Sequence, residues 1–126
     1  MPMTNTAVFA QTPKTNKVTL TAAVAVNTAG STLITAGANG AVVTSVRFSP
    51  NGTVTASGVN LNRAGAPVRS ETLTAYTLSA TAKLPQVAFD VSRDYPITLG
   101  ANETLDVSLL VAQAAGVTVF AEWMDY

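Results

Sequence analysis

Leu105-Asp106-Val107-Ser108-Leu109-Leu110-Val111, followed after a short break by Val117-Thr118-Val119-Phe120-Ala121-Glu122-Trp123, decides the fold class. In both stretches the odd-numbered positions are apolar: Leu105, Val107, Leu109 and Val111, then Val117, Val119, Ala121 and Trp123. A period of two puts each set on one face of a pleated strand. With Ala112-Gln113-Ala114-Ala115-Gly116 between them, the spacing predicts a hairpin turning on Ala114. Residue 111 then faces 117, 109 faces 119, 107 faces 121 and 105 faces 123, so the apolar rows form one wall of a core. The last strand runs almost to Tyr126 and pins that end of the sequence into the sheet.

Working back from this hairpin, the same signals recur. From Lys17, the residues Val18, Leu20, Ala22, Val24 and Val26 alternate with Thr19, Thr21 and Ala23. Asn27-Thr28-Ala29-Gly30-Ser31 reads as a loop, residues 32–35 as a short strand, and Ala36-Gly37-Ala38-Asn39-Gly40 as a turn. Residues 42–48 predict a strand with Val42, Val46 and Phe48 on one face, ended by Ser49-Pro50-Asn51-Gly52. Val54 and Ala56 are even, Val59 and Leu61 odd, and the parity change at Gly58 predicts a β-bulge there. Further strands are expected over 68–78, where parity slips again, 87–91 and 97–99, with Gly100-Ala101-Asn102-Glu103 turning into the final pair. About eight strands at roughly ten-residue spacing, without a helical period, predict an all-β fold: a single-domain, antiparallel, jelly-roll-like β-sandwich. It spans residues 17–126, and residues 1–16 read as an extended N-terminal arm.

Composition narrows the function. At 126 residues the chain suits one domain with a real core. Hydrophobic residues make up 48% and charged ones 11%, about half the usual charged share of roughly 25% and the opposite of a disordered chain. Seven basic and seven acidic residues cancel, with no basic run. A nucleic-acid partner is therefore not expected. Cysteine is absent, which removes disulfides, thiolate metal sites and thiol nucleophiles. Histidine is absent too, and with it the commonest general base, zinc ligand and pH switch. The first ten residues lack a basic region and a sustained apolar run, so no secretory signal is read there. No stretch is long and apolar enough to span a membrane. The expectation is assembly in the cytoplasm, without cofactor or metal.

Candidate chemistry is sparse. Asp90 and Asp94 lie close in sequence, and Asp106 and Glu122 would face each other in the expected hairpin. Paired carboxylates serve glycosidases, but outward strand positions and a turn-capping Asp explain these residues more simply. Like charges across a strand pair are destabilising, so Asp106 and Glu122 bind calcium, favour a basic partner or splay apart, and too few acidic residues cluster for a calcium site to be assigned. Asn51-Gly52-Thr53 and Asn102-Glu103-Thr104 match the glycosylation sequon by chance in a Thr- and Asn-rich chain. Gly37, Gly40 and Gly52 lack the lysine of a phosphate loop. No catalytic residue is assigned.

The informative anomaly is apolar residues that face outward. If the odd row of the last hairpin faces the core, Leu110, Phe120 and Met124 face away from it, with Leu110 and Phe120 as diagonal neighbours. Either they lie on a partly covered face, where single exposed apolar residues are ordinary, or they form a subunit contact. In the second case Val8 and Phe9 of the arm, from the same or another chain, are their natural partners.

The chain resembles the small β-sandwich structural proteins of tailed bacteriophages, especially capsid decoration (cement) proteins. The resemblance rests on Leu33-Ile34-Thr35-Ala36-Gly37-Ala38-Asn39-Gly40 leading into Val42-Val43-Thr44-Ser45-Val46-Arg47-Phe48, then Glu71-Thr72-Leu73. It continues in Tyr95-Pro96-Ile97-Thr98-Leu99-Gly100-Ala101-Asn102-Glu103-Thr104-Leu105-Asp106-Val107-Ser108 and the closing Val119-Phe120-Ala121-Glu122-Trp123-Met124-Asp125-Tyr126. It covers residues 17–126 as a pattern of strands and turns. What it implies is a non-enzymatic virion protein on the capsid surface, a homo-oligomer and specifically a trimer, whose partner is the major capsid protein. A tail, baseplate or fibre component is the nearest alternative. A sugar- or surface-binding module is another, with Trp123, Tyr76, Tyr95 and Tyr126 as its stacking residues.

Overall fold

A computed structural model describes residues 12–126. They form nine strands: β1 Thr12–Leu20, β2 Ser31–Thr35, β3 Ala41–Pro50, β4 Ser57–Arg63, β5 Ala66–Leu73, β6 Val87–Ala88, β7 Ile97–Leu99, β8 Thr104–Leu109 and β9 Val117–Asp125. No helix occurs among the described residues. The topology is that of one long antiparallel ribbon rolled up. Its tip is the β4–β5 turn, where Ala64 and Gly65 both take positive φ (52° and 83°). Moving back from the tip, β3 pairs with β7 and β6, β2 with β8, and β1 with β9. Rolling brings β3 against β9 and β4 against β8. Two sheets result: β1-β9-β3-β6, with β7 also on β3, and β2-β8-β4-β5. The all-β antiparallel sandwich expected from the strand spacing is what the chain forms.

The core lies between the sheets. Phe48, Val46 and Val43 of β3, Val59 and Leu61 of β4, Leu33 and Ile34 of β2, and both odd rows of β8 and β9 are buried there. The faces of the last two strands are thus as expected, but their pairing is not. β8 lies in the second sheet between β2 and β4, and β9 in the first between β1 and β3. Leu105, Val107 and Leu109 therefore belong to one wall, and Val117, Val119, Ala121 and Trp123 to the opposite one. Residues 110–116 cross between the layers instead of closing a hairpin, and Val111, past the end of β8, is exposed. The crossing is held by polar contacts that a hairpin turn would not make. The buried Gln113 side chain donates to the Thr55 carbonyl (2.9 Å) and accepts from the Thr55 amide (3.1 Å), while its own amide donates to the Thr21 carbonyl (2.8 Å).

Three other expectations change for local reasons. In β3 the register shifts between Val43 and Ser45, so Thr44 is an extra residue. Val43 then points into the core and Val42 points out, whereas the bare alternation put Val42 with Val46 and Phe48. Gly58 carries no bulge: β4 opens at Ser57, and Val54 sits in a separate bridge with Tyr76. The irregularity falls instead between Leu61 and Asn62, where β5 supplies Val68 as the extra residue. β5 stops at Leu73, which accounts for the parity slip toward Tyr76.

At the front, β1 starts at Thr12 rather than at Lys17 and ends at Leu20, so Ala22, Val24 and Val26 lie beyond it. Residues 12–16 are exposed on both faces, and strand alternation cannot mark such a segment. Pro13, Lys14 and Lys17 on this edge strand are the residue types that discourage stray pairing. Asn16 Nδ2 donates to the Leu33 carbonyl (2.8 Å) and ties β1 to β2 across the side of the sandwich.

Candidate interaction surface

The outward face of the first sheet collects the residues that the sequence singles out on β9. Because β9 is flanked on both sides, each of its outward residues has two cross-strand neighbours. Phe120 stands between Lys17 of β1 and Arg47 of β3, and Met124 between Pro13 and Val42. Between them Glu122 faces Thr15 and Ser45. The Arg47 guanidinium carbon lies 5.6 Å from the centre of the Phe120 ring, within cation–π range. Its Nη1 donates to Glu122 Oε1 at 3.2 Å. Both side chains are about half exposed, 41% and 51%, so this ion pair orients the arginine more than it stabilises the fold. Around the ring Thr15, Asn16, Lys17, Arg47, Ala121 and Glu122 line a shallow recess of about 360 Å³. Phe120 and Met124 are half-buried by these neighbours.

Leu110 is not part of this face. It follows β8 in the other sheet, its amide donates to the Gly58 carbonyl (3.0 Å), and its side chain packs over Gly58. The expected diagonal contact between Leu110 and Phe120 fails for the same reason as the hairpin: the two strands lie in different layers. Val8 and Phe9 lie outside the described residues. Lys17 and Arg47 carried no signal in the sequence, because their place beside Phe120 depends on the order β1-β9-β3, which alternation does not encode.

Asp106 and Glu122 do not face each other either. Glu122 is exposed and bonded to Arg47, while Asp106 is buried although it points away from the core. Two turns roof it. The Gly30 amide donates to Oδ2 (2.7 Å), Asn62 Nδ2 donates to the same oxygen (3.0 Å), and the Gly65 amide donates to Oδ1 (3.4 Å). Asn62 also donates to Ser108 Oγ (3.1 Å). Like-charge repulsion is thus avoided by distance, and the buried carboxylate serves as an anchor for the two turns. A side chain at position 30 would run into the Val107 carbonyl, so glycine is required for this approach.

Asp90 and Asp94 belong to an excursion, residues 89–96, that interrupts the strand formed by β6 and β7, and both are exposed. The excursion is held by Arg69, whose Nε donates to the Asp90 carbonyl (2.9 Å) and whose guanidinium carbon lies 4.1 Å from the centre of the Tyr95 ring. Of the aromatic residues considered for stacking on a sugar, Trp123 is buried in the core and Tyr76 packs against it. Tyr95 and Tyr126 remain exposed.

No family model and no curated protein matches this chain. Among solved structures it is similar to a chain of the cyanophage Pam1 capsid asymmetric unit, with a TM-score of 0.53 and 16% sequence identity. The likeness covers 100% of this chain and 94% of that one. At this level of identity, what the two chains share is the fold, from end to end.

Proposed function

We propose that this chain is a non-enzymatic structural protein of a bacteriophage virion, a capsid decoration (cement) protein that binds and stabilises the lattice of the major capsid protein. The observation that carries the reading is the likeness to a phage capsid chain along nearly the full length of both partners. The composition supports it, since no histidine or cysteine equips the chain for common catalysis. So does the outward face of the first sheet, where a half-buried aromatic ring flanked by Lys17 and Arg47 makes a compact docking patch. Repeated over a particle, many contacts of modest strength add up through multivalency. Residues 1–11, with Val8 and Phe9, supply the arm in this reading, because β1 claims Thr12–Asn16.

Quantitative mass spectrometry of purified virions tests the reading. A copy number comparable to the major capsid protein supports lattice-wide decoration. A handful of copies points to tail, baseplate or fibre, and absence from the particle defeats the proposal. Phe120→Asp, which places a carboxylate in the recess, is expected to weaken particle binding tenfold or more, with a loss of about 1 kcal/mol in stability from the poorer strand former that leaves the chain folded. Deleting residues 1–11 is expected to weaken it too. Unchanged particle binding in both would remove these surfaces from the contact.

A further inference from the structure

Along one side of the sandwich the two sheets meet at β5 and β7. β5 ends the order β2-β8-β4-β5, and β7 pairs with β3, so among the described residues this seam is left open. Arg63, Val68, Arg69, Pro96, Ile97 and Thr98 line a recess there of about 330 Å³. The bulge on β5 decides what faces it. Asn62 pairs with Pro67 and Leu61 with Arg69, which leaves Val68 as the extra residue. Regular pairing would set Val68 opposite Leu61, whose side chain is fully buried in the core. The bulge gives that inward position to Arg69 instead, at the edge of the sheet. A cation is thereby turned into the seam rather than out over the outer face.

Both guanidinium groups are held by neutral atoms. Arg69 Nε donates to the Asp90 carbonyl (2.9 Å) and its Nη1 to the Val68 carbonyl (2.9 Å), beside the stacked Tyr95 ring. Arg63 Nη2 donates to the Thr98 carbonyl (2.6 Å). Carbonyls and an aromatic face fix the direction of a guanidinium without cancelling its charge. Among the described residues Arg69 makes no ion pair. Arg63 makes a loose one: Nε lies 3.7 Å from Glu103 Oε2, while Glu103 Oε1 accepts from the Gly100 amide (2.7 Å). That Nε is buried and has no hydrogen-bond partner, a condition that a charged donor ordinarily avoids. Glu71, Asp90 and Asp94 line no part of the recess, and among the described residues they pair with neither arginine.

We propose that this recess is a binding site for a phosphate group. A tetrahedral dianion offers acceptors in several directions, so it can meet two guanidinium forks that come from different strands, whereas a carboxylate is matched by one fork. The direction of both arginines is fixed before any ligand arrives, so binding loses little side-chain entropy. Val68, Pro96 and Ile97 give the recess an apolar wall, which strengthens the charged contacts beside it. A few charge-assisted hydrogen bonds at a half-exposed site correspond to a dissociation constant of about 1 mM. The inference stands independently of the virion reading, and its test uses no particles.

Titration of the full chain with inorganic phosphate at constant ionic strength, read by the NMR signals of the arginine Nε–H groups, is the test. The expected result is a saturable shift of the Arg63 and Arg69 signals with a midpoint of about 1 mM, while the signal of Arg47, on the outward face of the first sheet, stays in place. Arg69→Gln and Arg63→Gln should each weaken binding tenfold or more. Arg69→Lys, which keeps the charge and loses the fork, should weaken it severalfold. An unchanged circular dichroism spectrum confirms folding, and Arg63→Gln carries the test alone should Arg69→Gln loosen the 89–96 excursion. A parallel titration with glycerol phosphate distinguishes the source. Binding as tight as that of the free ion supports a site for phosphate carried on a larger molecule, and weaker binding supports a site for the free ion. Shifts that follow ionic strength alone, acetate that binds equally well, or glutamine variants that bind as before overturn the proposal.

Discussion

Asp106→Ala is expected to destabilise the fold by about 3 kcal/mol, lowering the melting temperature by roughly 10 °C. The carboxylate is buried and accepts from the Gly30 amide, the Gly65 amide and Asn62 Nδ2. Removing it strands three donors, each worth about 1–3 kcal/mol when left unpaired, and the lower part of the summed range applies because the two turns can move outward and admit water. Asp106→Asn keeps one acceptor but turns an NH₂ group toward the donors, so about half the loss is expected. Equilibrium urea unfolding measures both, and hydrogen exchange at Gly30 and Gly65 reports whether the damage is local to the turns. A loss below about 1 kcal/mol for Asp106→Ala would show that water replaces the carboxylate without penalty.

Phe48→Ala carries the other large effect, about 4 kcal/mol, from the lost transfer energy of the ring and the cavity it leaves. Phe48 is fully buried and sits on β3, the strand that pairs with β9, β6 and β7. Its ring contacts Phe89 with centroids 5.3 Å apart and planes tilted by 57°. That contact pins the start of the 89–96 excursion, where the Phe89 amide also donates to the Val46 carbonyl (2.9 Å). The substitution should loosen the β6 edge as well as lower global stability. A double-mutant cycle with Phe89→Ala should return a coupling of about 1 kcal/mol. Phe48→Leu should cost less than half as much as the alanine change. Domains of this size are stable by only about 5–15 kcal/mol, so either alanine variant removes a large share.

Sequence periodicity was informative about faces and silent about partners. Leu105, Val107, Leu109, Val119 and Ala121 could be placed on buried faces because a pleated strand sends alternate side chains to opposite sides whatever lies beside it. Their assignment to a hairpin drew on proximity in sequence, and nothing in residues 110–116 announces that they cross from one layer to the other. Gln113, whose buried amide settles the matter, reads in sequence as one more polar loop residue. The bulge at Thr44 was equally invisible, since Val42 and Val43 are both apolar and either could face the core. Asp106 was placed correctly as pointing away from the core and wrongly as solvated, because burial there comes from turns more than thirty residues distant in sequence. Phe120 and Met124 were legible as outward residues. Lys17 and Arg47, which give the patch its character, required the strand order.

The pairing of the first strand with the ninth has a consequence in time. β4 and β5 are joined by a two-residue turn and can zip as soon as both exist. Each outer pair of the ribbon must then close a larger loop than the one inside it, at growing entropic cost. β1 comes last, since its whole register lies along β9. Such nesting predicts slow folding, in the millisecond-to-second range of non-local β proteins. On the ribosome, an early strand would wait unpaired through nearly the entire synthesis of the domain. Its proline and two lysines, Pro13, Lys14 and Lys17, then protect the chain during that wait, when a nascent edge is most open to the wrong neighbour.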